Sequence, residues 1–347
     1  MLVGRILVLL VTGLTVAACG IGAPAVKRDR FDYNTAIAQS WKDQMLLNVV
    51  KLRYADTPAF LDVSSVISQY ELEGGVSVGA SFSSGSDLLS LGGAAHYIER
   101  PTITFTPLSG GRFTRQLMTP IPPKGVLLLL QAGWPVVWLL RLTLQSINGL
   151  QNEASGMLKR AADPEFEQLI QAMNEVQKSG AVGIRLKPDK DGATAVMIFE
   201  DRGDPDVRER LRRIRELLRL DPSAREYRIA FGRIAKDSRE IAMLTRSMIQ
   251  IMVELSSFTE VPAEHLAKGF AAPRLSAERI ARSAFRIRSS KERPETAFAA
   301  VRYLNYWYWI GQGDVPSKIA FTLLLFLSSL TETDRDAKPP IVTIPAG

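Results

Sequence analysis

The only cysteine of this chain, Cys19, stands at the end of a short apolar run rather than inside the body that follows. A chain with one thiol closes no internal disulfide, and thiolate metal sites need several sulfurs. Burial of apolar surface must therefore hold the fold together. The composition permits this: of 347 residues, 46% are hydrophobic and 23% charged, the balance of a globular chain rather than a disordered one. The length suffices for one large domain or two modest ones.

Residues 1–20 read MLVGRILVLLVTGLTVAACG. Arg5 supplies a positive start, Ile6 to Ala18 is apolar, and small residues precede Cys19, which is the layout of a secretory signal peptide. As a helix the run reaches only about 20 Å, short of the roughly 30 Å hydrocarbon core, so a permanent transmembrane span is not expected. Val16-Ala17-Ala18-Cys19 resembles the bacterial lipobox. That resemblance implies removal of residues 1–18, acylation of Cys19 on its thiol and new N-terminus, and stable anchoring by several acyl chains. An ordinary secretory signal, or a cysteine in a short membrane helix, is the alternative. Gly20 occupies the place where an inner-membrane retention signal typically carries Asp, so the resemblance points to an outer-membrane anchor facing the periplasm. The formal charge of +7, or +6 once Arg5 is removed, would there suit anionic head groups or acidic polymers. Membrane lipid through acylated Cys19, envelope proteins or further copies of the chain are the partners expected, and nucleic acid is not.

The sequence predicts an α+β fold, with antiparallel sheets and hairpins packed against amphipathic helices. Its divisions are a signal peptide (1–18), a lipidated tether (19–31), an N-terminal α+β region (32–162), a C-terminal α+β domain (163–331) and a flexible tail (332–347). A helix capped by Asp32 carries Ile37, Trp41, Met45, Val49 and Leu52 at helical spacing, and Pro58 ends it. Phe60 to Phe82 reads as extended: Leu61, Val63, then Val66, and later Val76, Val78, Ala80 and Phe82 alternate with polar or small residues. Residues 101–108 form a second strand, and the Gly/Ser-rich stretch 74–95 joins the two. Within 74–98 a hairpin that pairs with copies of itself or enters a membrane is one version of this region, although clear alternation covers only Val76 to Phe82.

Two apolar segments, Val126 to Leu130 and Val136 to Leu142, are divided by Gly133-Trp134-Pro135. They are expected as buried helices on a sheet, with a membrane-dipping helical hairpin as the alternative, and a strand over 139–147 stays open. Further on, a helix over 163–179 precedes a hairpin of 182–186 with 195–199. A helix over 205–220, a strand over 226–234 and a helix from Ser238 to about Phe258 follow. A second hairpin is read as 285–289 with 298–310, and a helix over 316–330 closes the body.

Gly75-Val76-Ser77-Val78-Gly79 matches the G-x-S-x-G hydrolase string, yet alternation continues through it without the helix that a nucleophile elbow requires. A triad base would have to be His96 or His265, the only histidines. No H-E-x-x-H, Walker A or dinucleotide fingerprint occurs, so no metal and no cofactor are expected. Arg208, Arg212, Arg215 and Arg219 populate one side of an amphipathic helix, which reads either as an anionic-surface binder or as a solvated, partly paired face. On the last predicted strand, alternation places Tyr306 and Tyr308 on one face and Tyr303, Trp307 and Trp309 on the other. Trp307 and Trp309 are therefore candidates for sugar stacking or partner contact.

Asp43 to Tyr54 (DQMLLNVVKLRY), Pro101 to Leu108 (PTITFTPL), Gln145 to Leu150 (QSINGL) and Ser289 to Pro294 (SSKERP) resemble a family of proteobacterial lipoproteins. The resemblance covers most of the mature chain and implies a coherent body with an envelope location. It carries over no catalytic residue. The reading that follows is a lipid-anchored, non-catalytic interaction or assembly subunit. The alternatives are an envelope hydrolase acting on lipid or cell-wall material, or a glycan-binding lipoprotein. If the lipobox reading holds, Cys19→Ser abolishes incorporation of labelled palmitate and leaves the precursor uncleaved on a gel. Normal labelling and maturation of that variant would end the reading.

Overall fold

The computed structural model describes residues 22–67, 70–83, 86–99, 102–108, 110–154, 160–189, 192–201, 204–272 and 285–330. The expected signal peptide (1–18), Cys19 and the expected tail (332–347) lie outside them. The fold is α+β, as expected. Its division differs from the expected sequential halves. One compact unit gathers the described residues up to Pro58 and those from Gly110 onward, and the described residues of Ala59–Ser109 belong to a second. The chain leaves its body to build the second unit and then returns.

The first unit opens with α1 (Gly22–Arg53), which starts inside the segment expected to be a loose tether. Its C-terminal half packs on the body through Met45, Leu46, Val49 and Val50, all 2% exposed or less. After the second unit come α2 (Gly110–Met118), α3 (Pro123–Gln131) and α4 (Val136–Thr143). Val126, Leu127, Val136, Leu139 and Leu140 are buried, so the two greasy segments are core helices rather than a membrane-dipping hairpin. Among the described residues, no helix is long and apolar enough to cross a membrane.

Strands β5 (Leu144–Ile147) and β6 (Leu150–Gln151) follow, then α5 (Pro164–Ser179), β7 (Val182–Asp189), β8 (Gly192–Phe199), α6 (Pro205–Leu218), β9 (Glu226–Phe231) and β10 (Glu240–Thr245). The strands form one mixed sheet in the order β6-β5-β10-β9-β8-β7. Helices α3 and α4 pack together, as do α5 and α6. Gly180, at φ +70°, adopts the left-handed conformation that ends α5. The remaining elements are α7 (Met248–Ser256), α8 (Ala263–Ala267), β11 (Arg288–Ser290), β12 (Ala297–Tyr303), β13 (Tyr306–Gly311) and α9 (Val315–Leu330).

Three expectations change here. The predicted helix from Ser238 to Phe258 is a strand and then a helix. Ile241, Ala242 and Met243 of β10 are all buried, and an unbroken apolar run satisfies both the helical and the extended period. The true helix start is marked by Ser247 and Gln250, which exchange side-chain and backbone bonds as a capping box. The predicted strand 226–234 stops at Phe231. The predicted strand 298–310 is a hairpin, turning at Leu304 (φ +45°) and Asn305 (φ +67°) without an Asn-Gly signature. Strand β13 therefore lies between β11 and β12, and 285–289 does not pair with 298–303.

Two buried arginines fasten these layers. Arg246 donates to the carbonyls of Arg141 (2.7 Å) and Leu142 (3.3 Å) in the last turn of α4, and to that of Glu153. A cation at that helix end meets the negative pole of the peptide dipoles. Arg215, expected on a basic outer face, is instead 6% exposed. Its guanidinium forks onto Asp201 at 2.9 and 3.0 Å and donates from Nε to the Tyr227 hydroxyl at 2.9 Å. Arg208, Arg212 and Arg219 are exposed, and Arg212 pairs with Glu209 and Glu216. Arg215→Ala is expected to cost about 2–4 kcal/mol, because Asp201 and Tyr227 lose a bidentate, part-buried partner. Arg208→Ala should stay within about 0.5 kcal/mol. Urea titration of the two variants separates a structural arginine from a surface one.

Candidate functional site

The second unit is built of β1 (Phe60–Ile67), β2 (Tyr70–Ser83), β3 (Ser86–Glu99) and β4 (Thr102–Leu108). The pairs β1–β4 and β2–β3 are both antiparallel. A single register runs through them: Val66↔Ile103 and Ile67↔Thr102 in the outer pair, then Tyr70↔Glu99 and Leu72↔Tyr97 down to Ser83↔Ser86. At about 3.4 Å per residue, the 14-residue strands β2 and β3 alone reach about 45 Å.

The register explains an oddity of the sequence. Apolar residues of the first arm sit at odd positions (Leu61, Val63) and later at even ones (Val66, Leu72, Val76, Val78). A register shift between Val63 and Ser65 absorbs Ser64 as an extra residue, and a bulge of that kind moves every following side chain to the other face. The apolar positions consequently keep one face. Cross-strand pairs Leu61/Pro107, Val63/Phe105 and Val66/Ile103 share it in the outer ribbon. Leu72/Tyr97, Val76/Gly93, Val78/Leu91 and Ala80/Leu89 hold it in the inner one. The opposite face carries Asp62/Thr106 and Ser65/Thr104, then Ser77/Gly92, Gly79/Ser90 and Ser81/Leu88. Side chains of the outer ribbon are open: Leu61, Ile103 and Phe105 are 48%, 43% and 52% exposed. Among the described residues, each arm forms a strand ladder only with the other.

Ser77 thus lies in mid-strand opposite Gly92, not on the sharp strand-to-helix turn of a nucleophile elbow. His96 stands opposite Glu73 in the same ribbon.

The body holds a separate cluster. Tyr54 stands just beyond α1, directly before Ala55 at φ +57°. Its hydroxyl meets His265 Nδ1 at 2.7 Å and the Tyr308 hydroxyl at 2.5 Å. The Tyr303 hydroxyl donates to Asp56 Oδ2 at 3.0 Å, and that of Tyr306 to Glu264 Oε2 at 3.3 Å. Burial pushes the Tyr308 phenol far above its ordinary range, and the bond to Tyr54 adds to the shift. Burial and then Asp56 push Tyr303 up to about 12. Accepting that bond and the Thr57 amide holds the Asp56 carboxyl below its usual value. His265 is thereby engaged with a phenol, and its ring lies edge-on to Tyr306 at 4.9 Å. The arrangement fixes the chain a few residues before the ribbon begins. Among the described residues, the His265 ring meets Tyr54, Tyr306 and Phe270, with no serine among these partners.

Trp307 and Trp309 share a face of β13, while Tyr308 and Ile310 are buried on the other. The expected alternation holds for these residues, but Tyr303, expected beside the tryptophans, stands opposite Tyr306 on β12 and so shares the Tyr306 and Tyr308 face, because the chain turns at Leu304-Asn305. Both indoles are half-exposed and already carry a guanidinium: Arg293 lies 5.2 Å from the Trp307 ring and Arg288 5.1 Å from that of Trp309. Among the described residues, no group of three or more His, Cys, Asp or Glu side chains stands close enough to hold a metal ion. The ribbon was the part of this site that sequence reasoning saw only in outline, because Gly74, Gly75 and Gly79 interrupt the visible alternation.

No family model, curated protein or solved structure matches this chain.

The raised phenols give the body an alkaline limit. Unfolded tyrosines release their protons near pH 10, whereas Tyr303 and Tyr308 keep theirs in the folded state. Their contribution is fully present below about pH 10 and falls as pH rises beyond it, since the unfolded state then binds fewer protons. Urea midpoints measured from pH 8 to about 11.5 should decline above pH 10, with a shallower decline in Tyr308→Phe.

Proposed function

We propose that this chain is a lipid-anchored, non-catalytic assembly subunit of the cell envelope, held at the outer membrane through Cys19 and facing the periplasm. It associates with copies of itself through the ribbon of β1 to β4. The β2–β3 hairpin, a long two-stranded sheet that forms a ladder with no third strand among the described residues, carries this reading. A two-stranded hairpin is marginal in water by itself, and unpaired strand edges accept further strands through main-chain hydrogen bonds. Soluble proteins blunt such edges with Lys, Pro or a covering element. Between Glu73 and Glu99 the ribbon has neither Lys, Arg nor Pro. Exposed Leu61, Ile103 and Phe105 add apolar area beside the edges.

The pairing of Ile67 with Thr102 provides the test. Replacing residues 68–101 by Asn-Gly closes β1 directly onto β4 with a two-residue turn and leaves the body intact. Full-length protein extracted in mild detergent should run as an oligomer by light scattering. The shortened variant should run as a monomer with an unchanged urea midpoint. A full-length chain that is monomeric both in detergent and after crosslinking in intact envelopes would defeat the proposal.

A further inference from the structure

We infer that residues 70–99 cross a lipid bilayer as a β-hairpin, in a barrel that copies of this chain close together. The inference rests on the assembly reading and adds where the inner ribbon goes.

Length is the first observation. On the face shared by Leu72, Val76, Val78, Ala80 and Phe82, apolar or glycine positions run from 72 to 82, about 11 residues. On β3 the same face runs from Leu89 to Tyr97, about nine residues. A membrane-spanning strand needs about 9–11 residues when tilted by about 45°, and the apolar band of such barrels is about 25 Å tall. At that tilt, residues 72–82 rise about 26 Å.

The second observation is where charge stops. No Asp, Glu, Lys or Arg occurs between Glu73 and Asp87, or between Asp87 and Glu99. Charges stand only at the two ends, with Asp87 beside the turn and Glu71, Glu73 and Glu99 at the root. Aromatic residues mark both limits of the band: Tyr70 and Tyr97 at the root, Phe82 at the turn. Aromatic girdles at both interfaces are the mark of strands that cross a bilayer.

The opposite face is polar and small. Gly75, Ser77, Gly79 and Ser81 stand across from Ala94, Gly92, Ser90 and Leu88. Small hydroxyl and glycine positions suit a lumen, where adjacent strands crowd and water is present. Leu88 and, opposite Glu71, Ile98 depart from this pattern, and both lie near the ends.

Closure follows from the backbone. In hydrocarbon every peptide N–H and C=O needs a partner, so an open strand edge does not persist there. One hairpin has two open edges and cannot satisfy them alone. Copies arranged around an axis pair each β2 with a neighbouring β3, and about four copies supply the eight strands of the smallest such barrels.

The experiment places single cysteines along β2 of the full-length chain, whose own Cys19 is acylated in this reading. Each carries an environment-sensitive fluorophore in vesicles of phosphatidylethanolamine and phosphatidylglycerol loaded with a self-quenched dye. Leu72→Cys, Val76→Cys, Val78→Cys and Ala80→Cys should be quenched by a lipid-borne quencher, and Ser77→Cys, Gly79→Cys and Ser81→Cys should not. Unlabelled protein should release the dye. Val78→Lys should lower release about tenfold, because a charge there meets the middle of the bilayer. Oligomers whose labelled positions all stay water-exposed, without dye release, overturn the inference and leave the assembly reading standing. A chain that stays monomeric on the vesicles overturns both.

Discussion

The body depends on β10, whose two edges are both occupied. It pairs parallel with β9 and antiparallel with β5. Ile241, Ala242 and Met243 are buried, so water does not satisfy the peptide groups between them. The neighbouring strands do so, which joins the β5–β6 and β9–β8–β7 parts of the sheet across β10. The consequences spread outward: Asn148, at φ +44°, accepts from the Ala242 amide at 2.6 Å and donates to the Leu218 carbonyl at 2.8 Å, tying the sheet to the end of α6. Arg246, directly after β10, closes the last turn of α4. A charged side chain tolerates this burial only with several acceptors around it.

The ribbon answers the same requirement with two ladders. Its arms satisfy one edge of each strand through the β1–β4 and β2–β3 ladders. Ser64 is the small device on which the ribbon's chemistry turns. Without the extra residue, Leu61 and Val63 would lie on the face opposite Val66 and all the apolar positions beyond it. With it, Leu61, Val63 and Val66 share one face of the outer ribbon. Our proposals for assembly and for membrane insertion both begin from that uneven division between faces and edges.

The arginine helix illustrates how composition and position separate. The arginines of residues 208–219 look alike in the sequence, but α6 sends Arg215 inward onto Asp201 and Tyr227 and leaves Arg208 and Arg212 exposed, while Arg219 stands exposed at the helix's C-cap. Buried arginine is affordable here because Asp201 and the Tyr227 hydroxyl satisfy its fork, and Phe199 lies 5.3 Å from the guanidinium. Nothing local to residues 208–219 announces that partner set, since Asp201, Phe199 and Tyr227 come from other elements. Similarly, Tyr54, His265 and Tyr308 lie more than 200 positions apart at their extremes and meet only through packing.

The sequence by itself determined the features that depend on near neighbours. Proline and glycine bounded α5, periodicity placed Met45 and Val49 on the apolar face of α1, and alternation put Trp307 and Trp309 together on β13. It determined too that the core had to form without disulfides, because Cys19 stands alone. Only tertiary structure decided the features that need a distant partner. The apolar run of β10 fits a helix or a strand until β5 and β9 claim its peptide groups. The turn at Leu304-Asn305 is invisible without the β12–β13 register. The ribbon's single apolar face exists only once pairing with β4 and β3 reveals that Ser64 is extra. Local steric preference is encoded residue by residue, whereas hydrogen-bond partners across a sheet are chosen by whichever strand arrives at its edge.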